Sequence, residues 1–262
     1  MPHFAANLTM SFQEIPFMQR FAAASQAGFD SVEFMFPYDY TKAELRQALD
    51  ANNLKIVLFN LPAGNWAQGD RGVAIHPERK QEFRDGVEKA LSYAEPLGVK
   101  QLNCLVGKKL TEFSDAEQRA TLIENLRYAA EKLAEKGIRL LVEPLNSFDM
   151  PGFYHSTAEQ VLTLLDEVGH ANAYLQYDLY HEQRGVGELT ATIRKQFARI
   201  AHIQIADNPG RHQPGTGELN YRFLFSEIDR LGYTGYVGLE YIPEGPTADS
   251  FSWVEEYGYT RK

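Results

Sequence analysis

The stretch RLLVEPLNSFDMPGFYHSTAEQVLTLLDEVGHANAYLQYD, residues 139–178, holds one complete structural repeat. An apolar run at 139–143 ends on Glu143, and a loop rich in Pro, Asn, Asp and Gly follows. Ser156-Thr157-Ala158-Glu159 then reads as a capping box that opens a helix. Gly169 stands where a C-cap glycine belongs, and a second apolar run, 173–178, ends on Asp178. Leu140-Leu141-Val142 is short and wholly apolar, as a strand covered on both faces should be.

The same alternation recurs in both directions. Eight short runs stand out, at residues 3–7, 31–34, 55–60, 100–105, 139–143, 173–178, 200–205 and 236–240. Helices fill the gaps. Leu122, Leu126, Ala129 and Leu133 form one stripe of helical period, and Thr41-Lys42-Ala43-Glu44 and Ser114-Asp115-Ala116-Glu117 are two further capping boxes. Gly28, Gly98, Gly137 and Gly232 each close a helix shortly before the next run.

Eight strands alternating with helices leave a closed barrel or an open doubly wound sheet. The open sheet favours a glycine-rich phosphate loop after the first strand, whereas here that strand runs into Asn7-Leu8-Thr9-Met10-Ser11. The expectation is therefore a (β/α)8 TIM barrel. The 262 residues match the roughly 250 typical of that fold. No linker or low-complexity stretch interrupts them, so residues 1–262 read as a single domain.

Composition narrows the function. A formal charge of −9 disfavours nucleic acid, whose binding draws on a basic surface. No apolar window is long enough for a membrane span, and the first residues lack a secretory signal. One cysteine, Cys104, excludes an internal disulfide and suits the reducing cytoplasm. No nucleotide-binding or haem motif is present.

In a TIM barrel the active site lies at the C-terminal ends of the strands. The run ends here are polar: Asn7, Glu33, Asn60, Asn103, Glu143, Asp178, Gln204 and Glu240. The last four are separated by 35, 26 and 36 residues, about one βα unit each. Carboxylates about 4 Å apart repel by roughly 4 kcal/mol at an effective dielectric of 20. Three such pairs would cost on the order of 12 kcal/mol, comparable to the stability of a domain. Either some stay protonated or a cation sits between them. Four oxygen donors from four strands suit a hard divalent ion, Mg²⁺ or Mn²⁺, better than Zn²⁺.

Several motifs together resemble the hydroxypyruvate isomerase family, within the xylose-isomerase-like barrel superfamily that also holds sugar epimerases and endonuclease IV. They are Phe4-Ala5-Ala6-Asn7-Leu8, Val32-Glu33-Phe34-Met35-Phe36-Pro37-Tyr38, Leu61-Pro62-Ala63-Gly64, Glu143-Pro144-Leu145-Asn146 and Gln176-Tyr177-Asp178-Leu179-Tyr180-His181. Ile203-Gln204-Ile205-Ala206-Asp207, Pro214-Gly215-Thr216-Gly217-Glu218 and Gly238-Leu239-Glu240-Tyr241 complete the set. The resemblance implies that Glu143, Asp178, Gln204 and Glu240 hold the metal, and that Glu143 and Glu240 move the proton. It further implies an intramolecular oxidoreductase that converts hydroxypyruvate to tartronate semialdehyde. A close subgroup instead interconverts 2-oxotetronate and 3-oxotetronate. Many sugar epimerases carry His at the position of Gln204, so the amide oxygen here weakens a Zn²⁺ preference.

By analogy with those epimerases, His181 contacts a substrate oxygen and Asp149 stands where superfamily sugar enzymes carry an acid. Arg211 follows the seventh run and offers a charge-assisted contact to a carboxylate or a developing enolate. Arg71 lies in a long polar loop of the kind that forms lids; a solvated role suits it better than a carboxylate contact. Glu33 either orients site groups or bonds within the core. Phe34-Met35-Phe36-Pro37-Tyr38 either walls the pocket or packs a second copy of the chain in a homo-oligomer. Cys104 reads as a small core residue, and Phe251, Trp253, Tyr257 and Tyr259 as a seal on the barrel. The rival functions are a sugar epimerase, a metal-dependent abasic-site endonuclease and a non-enzymatic sugar-acid sensor. Seven histidines and the −9 charge oppose the nuclease, and the four-ligand set opposes the sensor.

Overall fold

The structure, a computed structural model, describes residues 2–261. Eight parallel strands form a closed barrel in sequence order: β1 (His3–Asn7), β2 (Ser31–Glu33), β3 (Lys55–Asn60), β4 (Gln101–Cys104), β5 (Arg139–Val142), β6 (Ala173–Asp178), β7 (Ile200–Ile205) and β8 (Tyr236–Leu239). β8 pairs back onto β1 through His3–Tyr236 to Ala6–Leu239 and closes the ring. All eight sequence runs are strands. Glu143 and Glu240 lie one residue beyond the ladder rather than inside it, so their carboxylates emerge where the backbone leaves the sheet.

The helical layer comprises α1 (Phe17–Gln26), α2 (Lys42–Ala51), α3 (Lys80–Leu97), α4 (Asp115–Ala134), α5 (Ala158–Val168), α6 (Leu179–Gly185), α7 (Leu189–Gln196), α8 (Tyr221–Arg230) and α9 (Trp253–Glu256). The stripe Leu122, Leu126, Ala129 and Leu133 is fully buried against the barrel. Thr41 and Ser114 make the reciprocal bonds of capping boxes with Glu44 and Glu117. The third box is displaced. Thr157, not Ser156, caps α5 by accepting the Gln160 N–H, because the Ser156 N–H is taken by Gln160 Oε1 at 2.8 Å. Gly98 and Gly169 adopt the left-handed conformation at the ends of α3 and α5.

Two apolar regions hold these layers. The larger lies between helices and sheet; the smaller fills the barrel with Ala5, Val57, Leu58, Leu141 and Ala201. The C-terminal aromatics close the seam between α8 and α1. Trp253 stacks on Phe225 at 5.6 Å and meets Phe4 edge-on at 5.3 Å. Arg261 bonds the Ala27 carbonyl at the end of α1. Burying each large ring contributes about 1.5–3 kcal/mol. Cys104 is a buried core residue, and burial pushes its thiol up to about 12. Among the described residues no helix is long and apolar enough to cross a membrane.

Candidate active site

The strand ends bring Glu143, Asp178, Glu240 and His181 into one buried group whose ligand atoms all lie within 4.8 Å of one another. Each arrives by a different local device. Glu143 follows β5 and accepts the Asn103 amide at 3.0 Å. Asp178 ends β6 and caps α6, accepting the Tyr180 N–H on Oδ1 at 2.8 Å. His181 stands in the first turn of α6, three residues on. Glu240 follows β8 and receives the Arg211 guanidinium at 2.8 Å.

Burial first, then the charges of Glu240 and Asp178, push Glu143 well above the usual carboxylate range. Burial also raises Asp178. It pushes Glu240 up to about 8, with Arg211 opposing and Asp178 and Glu33 adding to the rise. Fully ionised, three carboxylates against one guanidinium would leave two negative charges uncompensated, which is why burial without a cation drives them towards the neutral form. Glu143 Oε1 and Asp178 Oδ2 are buried without a hydrogen-bond partner, which a native interior rarely tolerates. Unpartnered oxygens and surplus negative charge in one cluster fit a divalent cation, and carboxylate oxygen favours a hard one.

His181 is tied to Asn146, whose backbone N–H and side-chain amide reach Nδ1 at 3.1 and 2.7 Å. A backbone N–H can only donate, so Nδ1 accepts and the neutral ring carries its proton on Nε2. Burial and then the charges of Arg211 and Arg184 hold the ring well below its ordinary value, hence neutral. Nε2–H lies 3.4 Å from Arg211 Nη2. Two donors at that separation suit a ligand oxygen that accepts from both. Arg211 is largely buried, over the Tyr180 ring at 5.1 Å, rather than an exposed loop cation. Its φ of +58° is held by the loop around Asp207. That carboxylate accepts the N–H groups of Asn208, Gly215, Gly217 and Leu219 at 2.9–3.0 Å.

Gln204 ends up beside Glu240 in the lining of a small pocket. Its Oε1 already accepts the Gln176 amide at 2.5 Å, and its amide donates to Glu33 at 2.8 Å. Glu33 is fully buried beneath it and also takes bonds from Asn7 and His202. His202 in turn meets Gln101 at 3.1 Å. A Cβ on Gly238 would overlap the Glu33 carboxylate, so the glycine makes room for this network. Asp149 lies outside the group, exposed on the rim. It accepts from Asn146 and the Tyr180 hydroxyl and faces Arg184 at 3.3 Å. The 34–38 loop packs within the chain, Phe36 against Trp66 at 5.3 Å and Tyr38 hydroxyl to the Asn60 carbonyl. Arg71 covers the other face of this wall, over Trp66 at 3.9 Å.

Sequence reasoning missed Gln101, Gln176 and His202 as interior polar groups. The signal was there: each sits two residues before a polar strand end, and period two puts both on one face.

A family model described as xylose isomerase-like TIM barrel matches residues 21–257. The hydroxypyruvate isomerase of Escherichia coli (strain K12) is 52% identical over 257 residues, covering 98% of this chain and 100% of that relative. The 2-oxo-tetronate isomerase of Cupriavidus necator is 44% identical over 98% of this chain and 99% of its own. A crystal structure titled AP endonuclease, family 2, from Brucella melitensis superposes with a TM-score of 0.95 at 46% identity, covering 98% of this chain and 99% of that one.

Proposed function

The chain belongs to the hydroxypyruvate isomerase family of xylose isomerase-like TIM barrels, and on that premise we propose that it converts hydroxypyruvate to tartronate semialdehyde with a divalent ion, Mg²⁺ or Mn²⁺, at Glu143, Asp178, Gln204 and Glu240. The enzyme is an isomerase that moves a carbonyl position. The observation that carries the metal reading is the pair of unpartnered buried oxygens, Glu143 Oε1 and Asp178 Oδ2.

When bound, the ion supplies Lewis acidity that polarises the carbonyl and eases loss of the neighbouring C–H proton. The chain's own residues do the rest. One of Glu143 and Glu240 takes the proton from C3 of the substrate, and the same or the facing carboxyl delivers a proton to C2. The hydroxyl proton passes from O3 to O2, so the product is an isomer with no net gain or loss. His181 Nε2–H and Arg211 Nη2 hold an oxygen of the substrate, its carboxylate or the developing enediolate. Glu33, by accepting the Gln204 amide N–H, fixes the orientation of that amide. Asn146 fixes the His181 tautomer.

A second reading, 2-oxotetronate to 3-oxotetronate, is favoured by the 44% identical relative of that name. It differs by one carbon beyond the reacting pair. A panel of hydroxypyruvate and both oxotetronates, run with chelator, Mg²⁺ or Mn²⁺, ranks the two. Full turnover in a preparation shown to be metal-free would sink the metal reading. Running the reaction in D₂O checks the proton route: solvent deuterium should appear on carbon. Its absence, with near-normal turnover in both Glu→Gln variants, would favour a hydride shift instead.

A further inference from the structure

At the end of the barrel opposite the carboxylates, a cavity of about 630 Å³ opens among the strand starts. Its lining holds Arg46, Lys55, Lys100 and Arg139 and no acidic residue. This is unexpected in a chain of charge −9, which has 35 acids for 26 bases. Several cations elsewhere are met by acids, Arg79 by Asp70, Arg119 by Glu167 and Arg194 by Glu227, while others, such as Arg71 and Arg127, bond backbone carbonyls instead. Here only Arg46 has a carboxylate, Asp50 at 2.6 Å. Arg139 rests over the Tyr174 ring at 5.7 Å, and no ion pair joins Lys55, Lys100 or Arg139 to a carboxylate among the described residues.

Strand geometry explains how these charges converge. Lys55 opens β3, Arg139 opens β5, and Lys100 immediately precedes β4 between them. The Arg139 N–H bonds the Lys100 carbonyl at 2.9 Å, which holds the last two together. Lys55 shares a strand face with Val57, and Arg139 with Leu141, by the period of two. Val57 and Leu141 belong to the small interior cluster with Ala5 and Ala201. Two cations therefore head the strand faces that line the barrel, and the alanines above them leave space. Apolar Leu54 and Ile56 contribute to the wall. A concavity of this size accommodates a small molecule, and converging cations with no acid in the lining favour an anionic one.

We propose that the barrel floor is a second binding site, for a small organic anion bearing two or more negative charges, such as a phosphate monoester or a polycarboxylate. It is distinct from the substrate site, whose cation, Arg211, stands at the other end of the strands. Lys55 and Arg139 provide charge-assisted contacts, and Gln101 and Thr234 provide neutral polar ones.

Isothermal titration calorimetry of the full chain with glycerol 3-phosphate and with tricarballylate tests this, each against sodium chloride of equal ionic strength. At least one probe should bind with a stoichiometry of one to the floor. That binding should survive in Arg211→Met and weaken at least roughly 10-fold in Lys55→Gln/Arg139→Gln, the loss expected of a charge-assisted contact. Response to only one probe identifies phosphate or polycarboxylate as the preferred class. Both substituted side chains are exposed, and unchanged melting of the double variant confirms its fold. Lys100→Gln supplies an independent variant that should weaken binding in the same sense. No binding of either probe above the salt control overturns the proposal. So does binding that persists undiminished in the floor variants, or that disappears only in Arg211→Met.

Discussion

Glu240 has two partners of opposite sign: the Arg211 guanidinium at 2.8 Å and the charge of nearby Asp178. Replacing Glu143 or Glu240 with Gln keeps size and one oxygen but removes the base. Each variant should lose about 10²–10⁴-fold in kcat, measured by steady-state turnover. Their metal-free melting temperatures should not fall, because without metal burial favours the neutral carboxyl, which the amide matches in size and polarity. Arg211→Met should raise KM for the carboxylate substrate roughly 10- to 150-fold, the worth of one charge-assisted bond. A matching fall in kcat would show contact with developing charge as well; unchanged kinetics would exclude substrate contact. Much of this residue set is legible in sequence, because a carboxylate or amide ending an apolar run is conspicuous. The burial of Arg211 is not. It depends on a loop conformation fixed by Asp207, which lies four residues earlier and reaches partners up to Leu219.

At the scale of elements, β8 shows how a strand can serve a neighbour. Gly238 packs nothing itself; it leaves space for the Glu33 carboxylate from β2. Gly238→Ala should displace a buried, multiply bonded carboxylate. The cost should be about 3 kcal/mol or more, read as a lowered urea midpoint with unchanged slope. A loss below 1 kcal/mol would show that Glu33 can move without penalty. All eight strands are legible because each is a short apolar run between turn residues. Helix starts are less so: Ser156 and Thr157 are both competent caps, and the choice turns on which N–H the Gln160 side chain occupies. Gln101, Gln176 and His202 are legible only through their two-residue spacing from a polar strand end, because a polar residue taken alone does not reveal from sequence whether it faces helices or the barrel axis.

For the whole molecule, the carboxylate cluster couples stability to ligand. A cation that binds only the folded state stabilises it by about 2.7 kcal/mol at 100 times its Kd. Mn²⁺ or Mg²⁺ should therefore raise the melting temperature of chelator-treated protein. Asp178→Asn should abolish that increment while leaving the metal-free value nearly unchanged, since Asn retains an oxygen to cap α6. An equal increment in the variant would remove Asp178 from the ligand set. Stability is not uniform across a fold, and surface connections ordinarily open first. The segment after β7 should be an exception. Its amides at Asn208, Gly215, Gly217 and Leu219 all end on the Asp207 carboxylate. In hydrogen–deuterium exchange these four should be protected for as long as barrel amides, though they lie outside any strand. Asp207→Asn offers one acceptor oxygen and sets an NH₂ against the remaining donors, so it should release them to fast exchange while β7 stays protected. A connection between strands would thus keep time with the barrel, and the guanidinium it carries would wait in place for substrate rather than be recruited by it.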